Sequence, residues 1–374
     1  MRANTSANNR PYVLAVGQIP PPVTGYAYIT DRMIATLRVT ADVETVDLSP
    51  GERQGFRKHY HKSRQTMRAC WRVIRNQRSP RLAYLGCEGD WGLFYTGIII
   101  AVARVLDYTV LLHHHSFSYI DRTSRLMQLI LMIAGRHIHH IFLCTVMRDR
   151  FGARYGETGD STIVSNAAFV ETRPLSTEKV QTRRLRIGLL SNLTREKGLY
   201  TFIELIRAAR ASGLELGGIL AGPIADDDDK SHVASAAIEL SDYLRYVGPV
   251  YGSAKEQFYS DIDVFIFPTH YANEAQPTVL FEALAAGKHV IAYNRGCIGA
   301  QIGHYGGLAI ETADDFCAQA LIYLKQIAIE YAAGTSKPQT IVQEFSAGKA
   351  AALTAATKLI SHAASPQFDG VRYC

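Results

Sequence analysis

Two glutamates eight positions apart, Glu274 and Glu282, flank a stretch that could hold an anion. They lie in the segment YANEAQPTVLFEALAAGKHVIA, Tyr271–Ala292, which follows an apolar, strand-like VFIFP. The fixed φ of proline suits the first turn of a helix, so Pro277 reads as opening a helix that carries Glu282 and ends near Gly287. The first amides of a helix lack partners within it. Those of Thr278, Val279 and Leu280 would therefore point outward, and such an end attracts a diphosphate. Taken alone, the pair is also compatible with a capped surface helix bearing two incidental acids.

Three further segments hold residues of chemical interest. In LLHHHSFSYI, His113 and His115 would share one face of a strand and His114 the other. With no carboxylate or cysteine at ligand spacing, the three do not suggest a metal centre. His137, His139 and His140 read as polar packing at a neighbouring strand. In GQIPPPVTGYAYITDRM, Gly25 has no side chain, so backbone there can approach a ligand closely. The acidic run Asp226–Asp229, after AGP, reads as a solvated loop.

Two arrays of alternating strands and helices must position these residues. Strand signals at Tyr12–Gly17, Val43–Leu48, Leu82–Leu85, Tyr108–His113, Ile138–Cys144 and Ser161–Val164 alternate with helical patterns. Among the latter are a long basic one over Glu52–Arg78, Leu93–Val105 and about Arg122–Ala134. After the polar stretch ETRPLSTEKVQTRR the alternation restarts. Strands are expected at Leu185–Ser191, Leu216–Ala221, Leu244–Val247, Val264–Phe267 and His289–Tyr293, with helices at Gly198–Ala211 and Ala347–Ile360. Such alternation implies parallel sheets covered on both faces. The expected organisation is one domain over 1–170, a linker over 171–184 and a second domain over 185–345. A helix over 346–363 packs back toward the first domain, and a tail covers 364–374.

The 374 residues suffice for two cores, and 47% apolar with 20% charged residues is ordinary for a globular chain. Charge is uneven: residues 1–170 carry 21 Lys+Arg against 12 Asp+Glu, the remainder 19 against 22. A basic half suggests an anionic partner. Six scattered cysteines show no metal-ligand spacing, and a chain of this length does not need disulfides as staples. The polar N-terminus does not read as a signal peptide, and the apolar stretch Gly92–Leu112 is interrupted by Arg104 and Asp107. The expected location is the cytoplasm.

The Tyr271–Ala292 segment resembles the E-x7-E motif of the family-4 retaining glycosyltransferases, the glycosyl transferases group 1. The likeness extends to an acid before a turn, Pro277, an apolar run, Glu-Ala, a small-residue stretch and Val-Ile-Ala. LLSNLTREKGLYTFIEL is similar to that family's donor-phosphate turn, with Lys197 supplying positive charge to the diphosphate. The family usually has Arg five positions before this lysine; here Asn192 stands there, with Arg195 close by. The loop around Gly25, His115 followed by Ser116 at the end of a mid-domain strand, and Asn166 in STIVSNAAFV also match in pattern. The resemblance runs from Val13 to about Ile310 and is strongest over Leu185–Ala292. It implies a GT-B architecture, with two Rossmann-like doubly wound domains facing across a cleft. It further implies donor contacts at Gly25, Asn192, Arg195, Lys197, Pro277, Thr278, Val279 and Glu282, with His115 and Glu274 at the reacting sugar.

The implied activity is transfer of a hexosyl group, with retention, from a nucleoside-diphosphate sugar to a glycan or polyprenyl-diphosphate-linked acceptor in bacterial polysaccharide assembly. No cofactor is implied, and transfer without a divalent metal is expected. Two readings compete: a nucleotide-sugar-binding scaffold without catalysis, to which Asn192 gives room, and an inverting transferase or epimerase of the same architecture, against which the glutamate pair argues. Arg53–Arg81 holds ten Lys+Arg and no acid. Phe56, Tyr60, Met67, Trp71 and Ile74 fall on one face of a helix there. That stretch is either a solvated wall of the first domain or a peripheral hold on the inner face of an anionic membrane. No nucleic-acid-binding motif accompanies it.

Overall fold

The computed structural model describes residues 10–76, 78–171 and 184–363. The chain forms two compact units. One runs to Phe169 and takes up the chain again from Ala350, and the other spans Val170–Lys349. The expected linker, 171–184, and tail, 364–374, lie almost wholly outside the described residues.

The first unit runs β1 (Tyr12–Gly17), α1 (Gly25–Thr40), β2 (Asp42–Asp47), α2 (Gly55–Arg75), β3 (Arg81–Cys87) and α3 (Gly92–Val105). It continues through β4 (Thr109–His114), α4 (Ser118–Asp121), α5 (Arg125–Ala134), β5 (Ile138–Phe142), α6 (Thr145–Tyr155) and β6 (Ser161–Ile163). All pairings are parallel, in the order β2-β1-β3-β4-β5-β6. The apolar runs of β1 and β3 are buried throughout apart from Arg81, as a strand covered on both faces requires. The helix expected over about Arg122–Ala134 is α5, which starts three residues later, at Arg125, with Ser124 capping it through the amide of Met127.

The second unit runs β7 (Leu185–Leu190), α7 (Leu199–Ala211), β8 (Leu216–Ala221), α8 (Asp227–Leu240), β9 (Leu244–Tyr246), α9 (Gly252–Asp261) and β10 (Val264–Phe267). It continues through α10 (Thr278–Ala285), β11 (His289–Tyr293), α11 (Ile298–Gly303), β12 (Leu308–Ile310) and α12 (Phe316–Ala332). Its parallel sheet is ordered β12-β11-β10-β7-β8-β9. The acidic run is not a loop. Asp226 caps α8 by accepting from the amides of Asp228 and Asp229, and Asp227–Asp229 form its first turn. Carboxylates there complement the partial positive charge of a helix start.

The last helix, α13 (Pro338–Ala363), begins in the second unit and ends in the first. It starts nine residues before the expected Ala347. Its final turns bring Ala352, Ala356, Leu359 and Ile360 into the first unit's core, against residues that include Ile29, Met33 and Leu37 of α1 and Val13 of β1.

Candidate active site

Each sheet changes winding direction at one place. In the second unit β7 leads to β8 on one side, while β10 leads to β11 on the other, so the switch point lies between β7 and β10. In doubly wound sheets ligands bind beyond the carboxyl ends of the strands at such a point. The loops that leave β7 and β10 there carry Lys197 and Glu274.

Tight turns make the approach of these loops possible. Gly198 sits at φ 88° before α7, and a Cβ there would lie 2.4 Å from the carbonyl oxygen of Pro268. Gly222 sits at φ 125°, and its Cβ would fall 1.8 Å from the carbonyl oxygen of Ser191. Only glycine fits either position. Thr194 holds the turn by accepting from the Lys197 amide at 3.2 Å through its hydroxyl. The His270 amide donates to the Glu196 carbonyl at 2.7 Å and ties the β10 loop to it.

Lys197 Nζ then lies 2.5 Å from Glu274 Oε2 and 4.2 Å from the centroid of the Tyr271 ring. The Thr269 hydroxyl is 3.3 Å from the same carboxylate oxygen. Both partners are largely withdrawn from solvent, at 23% and 11% side-chain exposure, so this charge-assisted hydrogen bond is only weakly screened.

Pro277 is the cap of α10 rather than its first residue, with extended backbone (ψ 128°). Its carbonyl accepts from Gln301 Nε2 at 2.8 Å and from the Leu280 amide at 3.4 Å. Leu280 is therefore not one of the outward amides expected of it, which leaves those of Thr278 and Val279 at the helix start. Glu282, one turn further on, is half-buried and doubly held: Lys255 Nζ donates to Oε1 at 2.9 Å, and Tyr259 Oη lies 3.0 Å from Oε2 and 3.1 Å from the Val279 carbonyl. Burial beside this carboxylate pushes the Tyr259 phenol well above its usual pKa, so it stays a donor. Lys255, Tyr259, Thr269 and Tyr271 were not singled out from sequence. Lys255 and Tyr259 sit on α9, an element with no motif of its own.

Two further sequence candidates, Asn192 and Arg195, lie in the loop that leaves β7. Asn192 is exposed. Arg195 is also exposed, and its guanidinium lies over the ring of Tyr200 at 4.3 Å, a ring that stacks on His232.

In the first unit the switch point lies between β1 and β3. Thr24 caps α1, and Gly25 follows as its first residue. A Cβ at Gly25 would meet nothing within 4 Å, so no neighbour among the described residues demands the glycine. Next to it, Tyr26 donates to the Gly86 carbonyl at the end of β3 at 3.0 Å and packs edge-on against His115, centroids 4.9 Å apart. His115 follows β4, its amide bonded to the Cys87 carbonyl. Its Nε2 is buried without a hydrogen-bond partner among the described residues, and burial pushes its pKa down to about 3.

The histidines divide by face as strand geometry requires. The His113 ring packs tilted against that of His115, centroids 4.0 Å apart, and meets the Tyr84 hydroxyl at 2.8 Å. His114 points the other way, bonded to Tyr119 and to His140 Nδ1 at 2.9 Å each, over Phe142 and Phe151. His139 reaches Thr162 at 2.8 Å. His114 and His140 are thus packing residues. Burial holds His113 and His114 well below the usual value of 6.5, and His140 at about 3. They are neutral in the folded chain, whereas the unfolded chain takes up protons below about 6.5. Their contribution to stability is complete above that pH and is lost as pH falls toward the folded values. The denaturant midpoint of the protein should therefore drop between about pH 7.5 and about pH 5.5, where few carboxylates titrate. A midpoint that stays level or rises over that interval would count against buried neutral histidines.

Residues 177–329 match the protein family described as glycosyl transferases group 1. The chain is similar in structure to HepE of Anabaena in complex with UDP, at a TM-score of 0.64 and 15% identity over 94% of this chain and 98% of that one. It is also similar to sucrose-phosphate synthase of Thermosynechococcus elongatus, at 0.67 and 16% identity over 95% and 100%. A glycosyltransferase of Rickettsia africae gives 0.71 and 13% identity over 96% and 100%. A search of curated proteins by sequence gave no match. At these identities the likeness establishes the fold, the two-unit α/β architecture of GT-B glycosyltransferases.

Proposed function

We propose that the chain is a retaining glycosyltransferase that moves a hexosyl group from a nucleoside-diphosphate sugar to a hydroxyl of a glycan or polyprenyl-diphosphate-linked acceptor, in polysaccharide assembly. The observation that carries this reading is the Lys197–Glu274 pair at the switch point of the second sheet, beside the start of α10. The match of residues 177–329 to glycosyl transferases group 1 and the UDP bound in a structure of similar fold support it.

In the proposed reaction the bond between the anomeric carbon and the diphosphate oxygen breaks, and a bond from that carbon to the acceptor oxygen forms. The acceptor proton passes to the departing phosphate. Negative charge grows on the diphosphate as the sugar gains oxocarbenium character. Lys197 and the amides of Thr278 and Val279 are assigned to that charge. Glu274 is assigned to the sugar and Glu282 to the ribose hydroxyls, with Lys255 and Tyr259 positioning it. Pro277 sets the start of α10, and Gly25, Asn192 and Arg195 are assigned to the rest of the donor. His115, in the first unit, is assigned a catalytic role, for which its buried and unpartnered Nε2 provides the means.

A panel of nucleoside-diphosphate sugars incubated with the protein tests this. Slow hydrolysis of at least one donor is expected, and it should persist in EDTA because Lys197 and the helix start offset the diphosphate charge. Cleavage of none would favour a binding scaffold. Loss in EDTA with rescue by magnesium or manganese would overturn the metal-independent route.

A further inference from the structure

Helix α2 carries an apolar stripe, crossed once by Ser63 and Arg64, that the first unit leaves uncovered. Phe56, Tyr60, Met67, Trp71 and Ile74 follow one another at intervals of four, seven, four and three residues, which keeps them on one face. All five are exposed, Phe56 at 83% and Met67 at 66%. The helix is anchored by a different face, on which Lys62, Thr66, Ala69, Cys70 and Val73 are buried and Lys62 pairs with Glu88 at 2.7 Å. The stripe is therefore not the core-facing seam.

Two neighbouring features show what would cover it. Arg57, Lys58, Arg64 and Arg68 are exposed and carry no ion pair among the described residues, and α2 holds no acid to offset them. Trp91, 73% exposed where α3 begins, lies edge-on to His59 of α2 at 6.0 Å, with exposed Phe94 beyond it. Both tryptophans of the chain, Trp71 and Trp91, thus stand exposed on this part of the surface. Unbroken positive charge along a large apolar and indole-bearing face is the pattern that lies in the interface of an anionic bilayer. An exposed patch of this kind marks an interaction site.

We propose that this face of α2, with the start of α3, docks the protein on an anionic lipid surface. The proposal does not depend on the transferase reading, since no residue of the candidate active site takes part. Arg72 is excluded from the docking set, because it is half-buried and ion-paired with Glu44.

The test mixes the full chain with vesicles of phosphatidylglycerol and phosphatidylcholine, or of phosphatidylcholine alone. It reads sedimentation and intrinsic tryptophan emission, which reports only Trp71 and Trp91. Anionic vesicles should sediment the protein and shift its emission to the blue. Raising salt from about 0.05 M to about 1 M should release at least about tenfold of the bound protein, because the Debye length shortens severalfold. R57Q/K58Q/R64Q/R68Q should lower binding by a similar factor. F56S/Y60S/M67S should lower it and remove the blue shift. Absence of binding and of any shift for the wild-type chain would overturn the proposal without requiring a variant to fold. So would equal binding to neutral vesicles. A blue shift that appears without lipid as protein concentration rises, together with a doubling of mass, would assign the face to a second copy instead.

Discussion

Turnover should fall by about two to three orders of magnitude when Glu274 is replaced by alanine, the scale on which loss of one preorganised polar contact acts in a transition state. Affinity for the free nucleoside diphosphate should hold or improve. In the structure Glu274 occupies Lys197 at 2.5 Å, so an incoming diphosphate competes with it for the ammonium. Removing the carboxylate removes the competitor and leaves the donor-phosphate contact intact. His115→Ala should lower turnover in the same selective way, for a different reason: the ring is neutral, with one buried nitrogen left to engage a ligand. Because burial already holds its pKa near 3, the wild-type rate should show no limb from His115 between about pH 5 and 8. Steady-state kinetics with the donor found in the panel, beside calorimetry with the diphosphate, decide both cases. Wild-type turnover in either variant would remove that residue from the reaction.

The second large effect concerns binding rather than rate. Glu282→Ala should weaken the nucleoside diphosphate by about 1–3 kcal/mol, the range for a lost hydrogen bond to a charged group, or roughly 5- to 150-fold in Kd. Tyr259→Phe should reproduce part of this, since it releases one oxygen of the carboxylate while leaving Lys255 on the other. Calorimetry separates the two variants. Unchanged affinity in Glu282→Ala would place the ribose elsewhere, and full loss in Tyr259→Phe would point to collapse of α9 against α10 rather than to positioning.

Much of this architecture was legible because buried parallel strands are short apolar runs that depend little on context. Tyr12–Gly17, Leu216–Ala221, Val264–Phe267 and His289–Tyr293 were placed with the observed bounds. The alternation of His113, His114 and His115 between faces followed from strand periodicity alone. Some of what escaped depended on neighbours distant in sequence. The run Asp226–Asp229 reads as solvated until Asp226 is seen capping α8. The start of α13 was missed although a local signal marks it: Pro338 opens the helix four residues after Gly334, which sits at φ 67°. In the candidate site, Glu274, Glu282 and Lys197 were singled out through the resemblance of their segments to glycosyl transferases group 1, not by spacing alone. Lys255 and Tyr259 did not, because their role exists only where α9 meets α10. Arg195 was chosen for its closeness in sequence to Lys197, and its contact with Tyr200 was not foreseen.

Helix α13 bears on how the molecule is made. Most of the first unit is translated before the second, yet its core includes Ala352, Ala356, Leu359 and Ile360, which are translated after it. The unit synthesised second holds an unbroken segment, Val170–Lys349, and can close as soon as that segment emerges. The order of completion is thus the reverse of the order of translation. Until the final turns of α13 arrive, the nascent first unit presents an uncovered apolar face beside α1, and a chain stopped short of Ala352 would keep that face open to chaperones and proteases.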